Sequence, residues 1–344
     1  MAGATNKRSR GGLWIILILL GVAAFAAYKV LGPNTGSRSK GDYLYVRTGS
    51  DYEKLKQNLT EGGFISDMWS FDLIAKQLGL PAHVRAGKYK ITAGMSNYRI
   101  IRMLRAGRQE PVKLVIRKLR IKNDLVTYLA KNLEADSLKL RQMLQDPSYL
   151  SEFGLDTNTA MCAIMPDTYE FYWNTSADKA FRKIQKNYAR FWDDTRKQAA
   201  AARGLTPPQA IIIASIVEEE TNAPSDKPLI ASVYLNRTRI GMRLQADPTV
   251  KFAVGDFTIR RIAGAMLDNP SPYNTYKYAG LPPGPICTPT AATINAVLQS
   301  PKTTYMYFCA KADFSGRHDF ATTYDEQLKN ARAYQQALNA RGIH

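Results

Sequence analysis

Histidine and cysteine are scarce in this chain of 344 residues, which has three of each. The histidines are His83, His318 and His344. The cysteines are Cys162, Cys287 and Cys309, widely spaced and without a C-x-x-C motif. This pattern argues against a zinc site, and we expect no metal or other cofactor. The sequence allows either one disulfide, for example between Cys287 and Cys309, or three buried free thiols.

Acidic residues are also few, since 29 Asp and Glu stand against 47 Lys and Arg, a formal net charge of +18. The basic residues are scattered, with no dense run and no RNA-binding motif interleaved with aromatics. We therefore do not expect nucleic acid as a partner. Anionic cell-wall polymers or lipid head groups match the charge better, and a generally solvated basic surface is the alternative.

Charge is absent from residues 13–28 (LWIILILLGVAAFAAY), which follow Lys7, Arg8 and Arg10. Extended to Leu31, the segment approaches the roughly 20 residues of a membrane-spanning helix. We expect residues 1–12 in the cytoplasm, a single-pass anchor at 13–31 in the cytoplasmic (inner) membrane, and the rest outside the cytoplasm, in the periplasm or extracytoplasmic space. A cleaved signal peptide is the alternative, because Ala24-Phe25-Ala26 is an A-x-A site. Residues 32–41 read as a flexible linker.

The remaining chain predicts an α+β fold. Alternating or helical spacing predicts a strand at 42–48, helices at 52–59 and 69–78, a strand at 87–92, a helix capped by Ser96 and a strand at 112–121. This βααβ order indicates a small domain at residues 42–121. Residues 122–344 predict a larger mixed α/β domain, with mostly helical structure at 123–153 broken by Pro147 and one long amphipathic helix at 178–202.

The most informative helix begins at Thr206-Pro207-Pro208-Gln209, a capping box. It continues as AIIIASIVEEET and ends in Glu218, Glu219 and Glu220. Three carboxylates at the C-terminus of a helix interact unfavourably with the helix dipole. Either they form a solvated acidic end of the helix, or one of them has a special role. Because successive residues of a helix are rotated by about 100°, Glu220 lies on the same face as Ile213, Ile216 and Val217. Desolvation and two like charges should raise its pKa, as a general acid requires.

Two later segments carry polar and aromatic side chains. A helix from Leu229 to Gly241 precedes a polar loop at residues 245–249 (QADPT), and residues 271–288 (SPYNTYKYAGLPPGPICT) combine tyrosines, an asparagine and prolines. Aromatic faces with amides and hydroxyls suit a sugar. The alternative for each segment is a structural loop.

Several motifs occur together and in order: AGKYKITAGMS, PDTYEF, ASIVEEET, ASVYLNRTRIGMRLQADPTV, YNTYKYAGLPPGPI and YMYFCA. Together they resemble the YceG-like family, the endolytic murein transglycosylases called MltG, from about residue 40 to the C-terminus. The resemblance implies that Glu220, directly before the threonine of an E-x-E-T motif, is the catalytic residue. Two segments depart from the family pattern and could face the wall: Thr288-Pro289-Thr290 stands where N-P-G is expected, and residues 316–320 where G-G-H-x-F is usual.

The loops and the resemblance together indicate a substrate-binding set. Its members are Glu218, Asn236, Arg237, Gln245, Asp247, Thr249, Tyr273, Asn274, Thr275, Tyr276, Pro283 and Gly284.

The resemblance further implies a LysM-like glycan-binding domain at 42–121 and a catalytic domain at 122–344. The implied reaction cleaves between N-acetylmuramic acid and N-acetylglucosamine of nascent peptidoglycan without water, leaves 1,6-anhydro ends and ends glycan elongation. The implied partners are peptidoglycan strands, the bacterial cytoplasmic membrane and peptidoglycan synthases. Two alternatives remain: a hydrolase that uses Asp247 as a second carboxylate, and a catalytically inactive, membrane-anchored peptidoglycan-binding scaffold.

Overall fold

The computed structural model describes residues 9–36, 42–259 and 261–342, and the chain divides into two compact units. The first unit comprises Met1–Lys113, Asn132–Glu134 and Glu170–Thr175. The second unit comprises Leu114–Lys131, Ala135–Tyr169 and Ser176–His344. Both contain helices and strands, so the α+β class is confirmed, whereas the domain limits at residues 121 and 122 stay a prediction.

The first unit begins with an exposed apolar helix, α1 (Ser9–Leu31). Its segment Gly12–Leu31 has a mean hydropathy of 2.3, and among the described residues it is the one helix long and apolar enough to cross a bilayer. An exposed surface of this size is unfavourable in water and is compatible with a membrane anchor.

The rest of the first unit follows the predicted βααβ order. Its elements are β1 (Tyr43–Val46), α2 (Tyr52–Glu61), α3 (Met68–Gln77), β2 (Gly87–Lys90) and α4 (Asn97–Ala106). β1 and β2 pair antiparallel, with Tyr43 opposite Lys90 and Val46 opposite Gly87. As predicted, Ser96 caps α4 by accepting a hydrogen bond from the Arg99 N–H. The helices and the sheet enclose one apolar core that includes Phe71 and Tyr89.

The predicted flexible linker is wrong for residues 32–36, while residues 37–41 lie outside the described residues. Asn34 is buried, its N–H donates to the Met95 carbonyl at 2.9 Å and its side-chain amide donates to Asn97 Oδ1 at 2.7 Å. Asn97 in turn donates to the Lys29 carbonyl at 3.0 Å, and Lys29 forms an ion pair with Asp67 at 2.6 Å. These bonds fix the end of α1 to the first unit.

The second unit is mostly helical. Its elements are β3 (Val112–Ile116), α5 (Lys122–Asn132), α6 (Ser137–Met143), α7 (Pro147–Ser151), β4 (Asp167–Phe171), α8 (Ala177–Phe191), α9 (Asp194–Ala201), α10 (Pro207–Glu220), α11 (Lys227–Arg239), α12 (Asp247–Val254), α13 (Ala291–Leu298), β5 (Tyr307–Ala310), β6 (His318–Ala321) and α14 (Tyr324–Ala340). β3 pairs with β4, and the division between the units falls within these two strands. β5 pairs antiparallel with β6.

Three elements differ from the predicted ones, and capping residues explain the first two. The helical segment at 123–153 is three helices, because Asp136 and Asp146 start new ones and Pro147 begins α7 instead of breaking a helix. The long helix at 178–202 is two, since Asp193 caps α9. The strand from Val112 ends at Ile116. Proline and aspartate are common at helix starts, so the sequence is compatible both with one long helix and with several shorter ones.

α10 is the central helix of the second unit. Thr206 and Gln209 form the predicted capping box, and every residue from 210 to 217 is buried. α10 packs against α9, α11, α12 and α13. Since neighbours surround this helix on several sides, its C-terminal glutamates are held at fixed positions.

Candidate active site

Glu218, the first of the three glutamates, is held by basic and hydroxyl groups. Its carboxylate lies 2.9 Å from Lys227 Nζ and accepts hydrogen bonds from Thr290 Oγ1, at 3.3 Å, and from Thr293 Oγ1. Thr290 therefore turns inward, and its neighbour Thr288 is fully buried. This part of the chain braces α13 against α10 and does not face outward.

Glu219 is held by a different pair of cations. Lys118 Nζ lies 2.8 Å and Arg120 Nη2 3.0 Å from its carboxylate. Burial opposes ionisation of Glu219, but the two cations outweigh it and lower the pKa. These contacts explain why β3 ends early: residues 117–120 leave the strand to reach Glu219, and Leu119 exchanges hydrogen bonds with Thr288.

Glu220 differs from both neighbours. Tyr234 Oη donates to Glu220 Oε1 at 2.5 Å, and in the described part of the chain no basic side chain lies within 4.0 Å of this carboxylate. The side chain keeps some solvent exposure, but protein surrounds the carboxyl densely. Desolvation raises the pKa of Glu220 to about 7, against the opposing hydrogen bond from Tyr234. A carboxyl with this pKa can donate a proton and take one back near neutral pH.

The raised pKa agrees with the expectation from sequence, but its cause differs in one respect. The like charge that raises the pKa of Glu220 is Asp247, not Glu218 or Glu219, whose charges are balanced by cations. The expected apolar stripe is also absent, because α10 is buried on all faces from residue 210 to 217. The environment that matters comes from other elements of the fold.

Asp247 is the first residue of α12 and not part of a loop, as had been predicted. Tyr276 Oη donates to Asp247 Oδ1 at 2.6 Å. Burial and Asp247 raise the pKa of Tyr276, and burial and Glu220 raise that of Tyr234, so both phenols keep their protons as donors. Two tyrosine–carboxylate pairs therefore stand at this end of α10.

Buried threonines shape the turn before α12. Thr249 and Thr275 lie with their hydroxyls 2.8 Å apart, and Thr275 Oγ1 accepts the Ala246 N–H at 3.0 Å. The exposed Gln245 has a φ of 50°, and its N–H donates to the Thr275 carbonyl at 3.1 Å. These contacts give Thr249 and Thr275 a bracing role and leave the Gln245 side chain at the surface.

Asn236 and Arg237 of α11 also brace the site. Asn236 donates to the carbonyls of Thr303 and Tyr305 at 2.9 and 3.0 Å. Arg237 is buried and donates to the carbonyls of Met306 and Leu244 at 2.7 and 2.6 Å. The Arg237 charge acts on Glu220 at a distance and lowers its pKa slightly against burial.

The segment 271–288 packs inward more than its composition suggests. Asn274 is fully buried and donates to the carbonyls of Leu267 and Asn269 at 2.8 and 2.9 Å. Tyr273 stacks on Phe252 with ring centroids 4.6 Å apart. A Cβ on Gly284 would lie 2.2 Å from the Asn158 carbonyl, so only glycine fits there. Pro283 lines a separate cavity with Leu281 and Pro282.

The predicted set therefore divides in two. Glu220, Asp247 and Tyr276 present functional groups near the end of α10, and the exposed Gln245 side chain lies at the surface. Others make their main contacts within the protein: Glu218, Asn236, Arg237, Thr249, Asn274, Thr275 and Gly284. Tyr273 packs on Phe252, and Pro283 lines a separate cavity. Tyr234 was missed, because from sequence it counted as one apolar residue of α11.

Among the described residues, cysteine and histidine form neither a disulfide nor a metal site. Cys162 and Cys287 are buried and Cys309 is half-buried, and all three are free thiols. Within residues 9–36, 42–259 and 261–342, no cluster of three His, Cys, Asp or Glu side chains is placed to hold a metal. His318, in the second segment that departs from the family pattern, lies with Nδ1 3.0 Å from the buried Asp226.

The fold and the site define an α+β protein with an N-terminal apolar helix and one protonatable carboxyl at the end of a buried helix. The sequence model of the YceG-like family matches residues 44–333, so the chain belongs to this family.

Named relatives and a solved structure agree with this assignment. An endolytic murein transglycosylase of Bacillus subtilis is 25% identical over 337 residues, covering 94% of this chain and 92% of the relative. One from Streptococcus pneumoniae is 24% identical over 354 residues, covering 92% of this chain but only 63% of its own length. The crystal structure of a yceG-like protein from Listeria monocytogenes aligns over 83% of this chain and 97% of that chain, with a TM-score of 0.54 and 25% identity.

Proposed function

We propose that this chain is an endolytic lytic transglycosylase that cleaves the bond between N-acetylmuramic acid and N-acetylglucosamine in nascent peptidoglycan. Membership of the YceG-like family and the names of the Bacillus and Streptococcus relatives support the reaction class. The observation that carries the proposal is Glu220, whose carboxyl has no cation within 4.0 Å in the described chain and a pKa raised to about 7.

In the first step Glu220 donates its proton to the glycosidic oxygen as the bond to C1 of the muramyl residue breaks. Positive charge then develops on the muramyl ring, in an oxocarbenium-like state. Tyr234 occupies Oε1, so Oε2 is the oxygen that carries and delivers the proton.

In the second step the Glu220 carboxylate takes the proton of the muramyl C6 hydroxyl, and that oxygen bonds to C1. The product is a 1,6-anhydro end, and Glu220 regains its proton. Because the substrate supplies the nucleophile, one carboxyl serves both steps. Asp247, fixed by Tyr276, adds negative charge beside the developing cation, and the exposed Gln245 binds sugar hydroxyls.

The wider assignment is also part of the proposal. Residues 42–121 form a LysM-like glycan-binding domain, consistent with their βααβ order, and residues 122–344 form the catalytic domain. Residues 13–31 anchor the chain in the cytoplasmic membrane with its N-terminus inside. Cleavage outside the cytoplasm ends the elongation of glycan strands, beside the peptidoglycan synthases that make them.

The test is digestion of purified, peptide-bearing glycan strands with the wild type and E220Q. We expect E220Q to lose about 10²- to 10⁴-fold in rate, the range for removing a general acid–base group. E219Q is the matched control, because it makes the same change at a residue paired with Lys118 and Arg120, and it should keep most of the activity. Full activity of E220Q would reject Glu220 as the acid–base residue, and absence of cleavage by the wild type would leave the inactive scaffold.

Mass spectrometry of the products separates the transglycosylase from a hydrolase. Anhydro ends support the proposed reaction, whereas reducing ends indicate attack by water. The hydrolase has one structural argument in its favour, since Asp247 is a second carboxylate close enough to raise the pKa of Glu220.

A further inference from the structure

A second cavity in the second unit has a lining that the proposed chemistry at Glu220 does not use. It has a volume of about 380 Å³ and lies beside α5 and α6. Three cationic residues line it, Arg120, Lys122 and Arg141, together with the amide-bearing residues Asn123, Gln145 and Asn158. Arg120 is paired with Glu219, whereas Lys122 and Arg141 are not paired with a carboxylate in the described chain. Apolar side chains complete the wall, among them Val126, Leu144 and Met161.

The two cations lack a close counter-charge. Lys122 Nζ donates to the Leu144 carbonyl at 2.8 Å, and Arg141 donates weakly to Asn123 Oδ1 at 3.4 Å. In the described part of the chain, no carboxylate lies within 4.0 Å of either. Asp156 acts on Lys122 from further away, and burial still lowers the pKa of this lysine. Lys122 is half-buried and Arg141 is exposed, and cations that have only neutral partners favour an anion from outside.

The lining of this cavity continues toward Glu220. Arg120 and Phe252 line it and also line a smaller cavity of about 130 Å³, whose wall includes Glu219 and Lys251. Phe252 lies on α12, the helix that begins at Asp247. Arg120 contributes little free charge, because it pairs with Glu219. The uncompensated charge thus belongs to Lys122 and Arg141, one cavity away from Lys251, whose charge acts on the proposed proton donor Glu220.

We propose that this cavity is a subsite for the carboxylate-bearing peptide stem of the glycan strand. The inference rests on the proposed function, because the stem branches from the muramyl residue that Glu220 is proposed to act on. A peptide stem presents backbone amides, small methyl groups and free carboxylates. The side-chain amides of the cavity match the backbone amides of the stem, and its apolar wall matches the methyl groups. Lys122 and Arg141 match the free carboxylates. A phosphate-bearing ligand would use the cations but would leave the amides and the apolar wall without partners.

The test measures binding to full-length E220Q, which holds substrate without cleaving it. The probes are a soluble muramyl disaccharide with a tetrapeptide stem and the same disaccharide without the stem. We expect E220Q to bind the stem-bearing probe more tightly, and K122M/R141Q in the same background to weaken that binding about tenfold, as expected for charge-assisted contacts. Binding of the stemless probe should not change. Equal affinity of E220Q for both probes would overturn the proposal.

Two further variants test whether weaker binding comes from the lost charge at the cavity. The alternatives are a disturbed fold and a change in the net charge of the protein. Lys122 also holds the Leu144 carbonyl, so R141E, which changes only an exposed side chain, should weaken binding of the stem-bearing probe by itself. K329M/R332Q on α14 removes the same two charges from exposed positions outside this cavity and should leave binding unchanged. Equal weakening by this control would reduce the effect to net charge and refute a specific subsite.

Cleavage assays keep this inference distinct from the proposed function. With an active Glu220, K122M/R141Q should lose its preference for stem-bearing strands over strands stripped of stems by an amidase. If E220Q stays active while the cavity variants lose stem binding, the reaction assignment fails and the subsite stands. If E220Q is inactive and the cavity variants keep full stem preference, the subsite fails and the reaction stands.

Discussion

Glu218, Glu219 and Glu220 are identical in chemistry and adjacent in sequence, yet the fold gives them three environments. The first pairs with Lys227 and the second with Lys118 and Arg120, whereas the third accepts a hydrogen bond from Tyr234 and has no cation within 4.0 Å among the described residues. A carboxylate near a cation stays ionised, whereas one that is desolvated without a cation holds its proton. The choice of proton donor is therefore made by the partners of each glutamate.

The pH dependence of cleavage follows from the pKa of Glu220. The proposed mechanism requires its proton for bond breaking, so kcat/KM should be high below about pH 7 and fall as the pH rises through the pKa. Tyr234 stabilises the ionised form, so Y234F should raise this pKa and move the alkaline limb to higher pH. Rates measured between pH 5 and 9 give the midpoint, and a midpoint that moves down would contradict the assigned hydrogen bond.

Asp247 should act on the same midpoint in the opposite direction. Its negative charge raises the pKa of Glu220, so D247N should lower that pKa and move the alkaline limb to lower pH. The variant can also slow the reaction, but the midpoint is read independently of the maximum rate. Opposite shifts in Y234F and D247N would support both contacts, and a common shift would indicate a general rearrangement.

At the scale of elements, α10 fixes the segment 271–288 through one buried hydroxyl. Ser215 Oγ donates to the Ile212 carbonyl at 2.7 Å and accepts the Ile286 N–H at 3.0 Å, and both Ser215 and Ile286 are buried. Ser215 lies five residues before Glu220, so the segment and the carboxyl are positioned by the same helix.

We expect S215A to destabilise the second unit, because the buried Ile286 N–H loses its acceptor. The cost should be about 1 to 3 kcal/mol in the free energy of unfolding. Denaturant unfolding measures it, with S151A as a control, since Ser151 is exposed and bonds only within its own helix region. A cost in S215A no larger than that in S151A would show that the segment is held by other contacts.

Element limits were predictable where a local signal was unambiguous. The capping box of α10 and the Ser96 cap of α4 involve side chains within three residues of the backbone they bond, so the pattern was sufficient. The end of α8 was missed although its signal, the Asp193 cap of α9, is local. The end of β3 was not predicted, because a residue far along the chain determines it. Glu219, which draws Lys118 and Arg120 away from the strand, is about a hundred residues later.

At the scale of the whole chain, the main feature is the fixed end of α1 within the first unit. Asn34 connects it to the Met95 carbonyl and Asn97, and accepts the Asp67 N–H at 2.8 Å. A membrane helix attached in this way holds the first unit in a defined orientation to the bilayer, if α1 spans it as proposed. A flexible tether would not.

N34A in the full-length chain tests this attachment. The change leaves buried donors and acceptors without partners, and the first unit should lose about 1 to 3 kcal/mol of stability. Thermal unfolding in detergent measures the loss, and N58A is the matched control, because Asn58 is only half-buried and its side chain makes a long bond of 3.4 Å to the Tyr45 carbonyl. Equal unfolding temperatures for the two variants would restore residues 32–36 to the role of a passive linker.

The sequence by itself determined the apolar N-terminal helix, the βααβ order, the capped helix α10 and the family, because each depends on local pattern or on motifs preserved in order. It also placed a raised pKa at Glu220, but for a reason that was only partly correct. Tertiary structure decided which glutamate lacks a cation, that Tyr234 bonds to it, and that most of the predicted binding set braces the backbone. These outcomes depend on contacts between α10, α11, α12 and α13, and a linear pattern does not record which distant side chains meet.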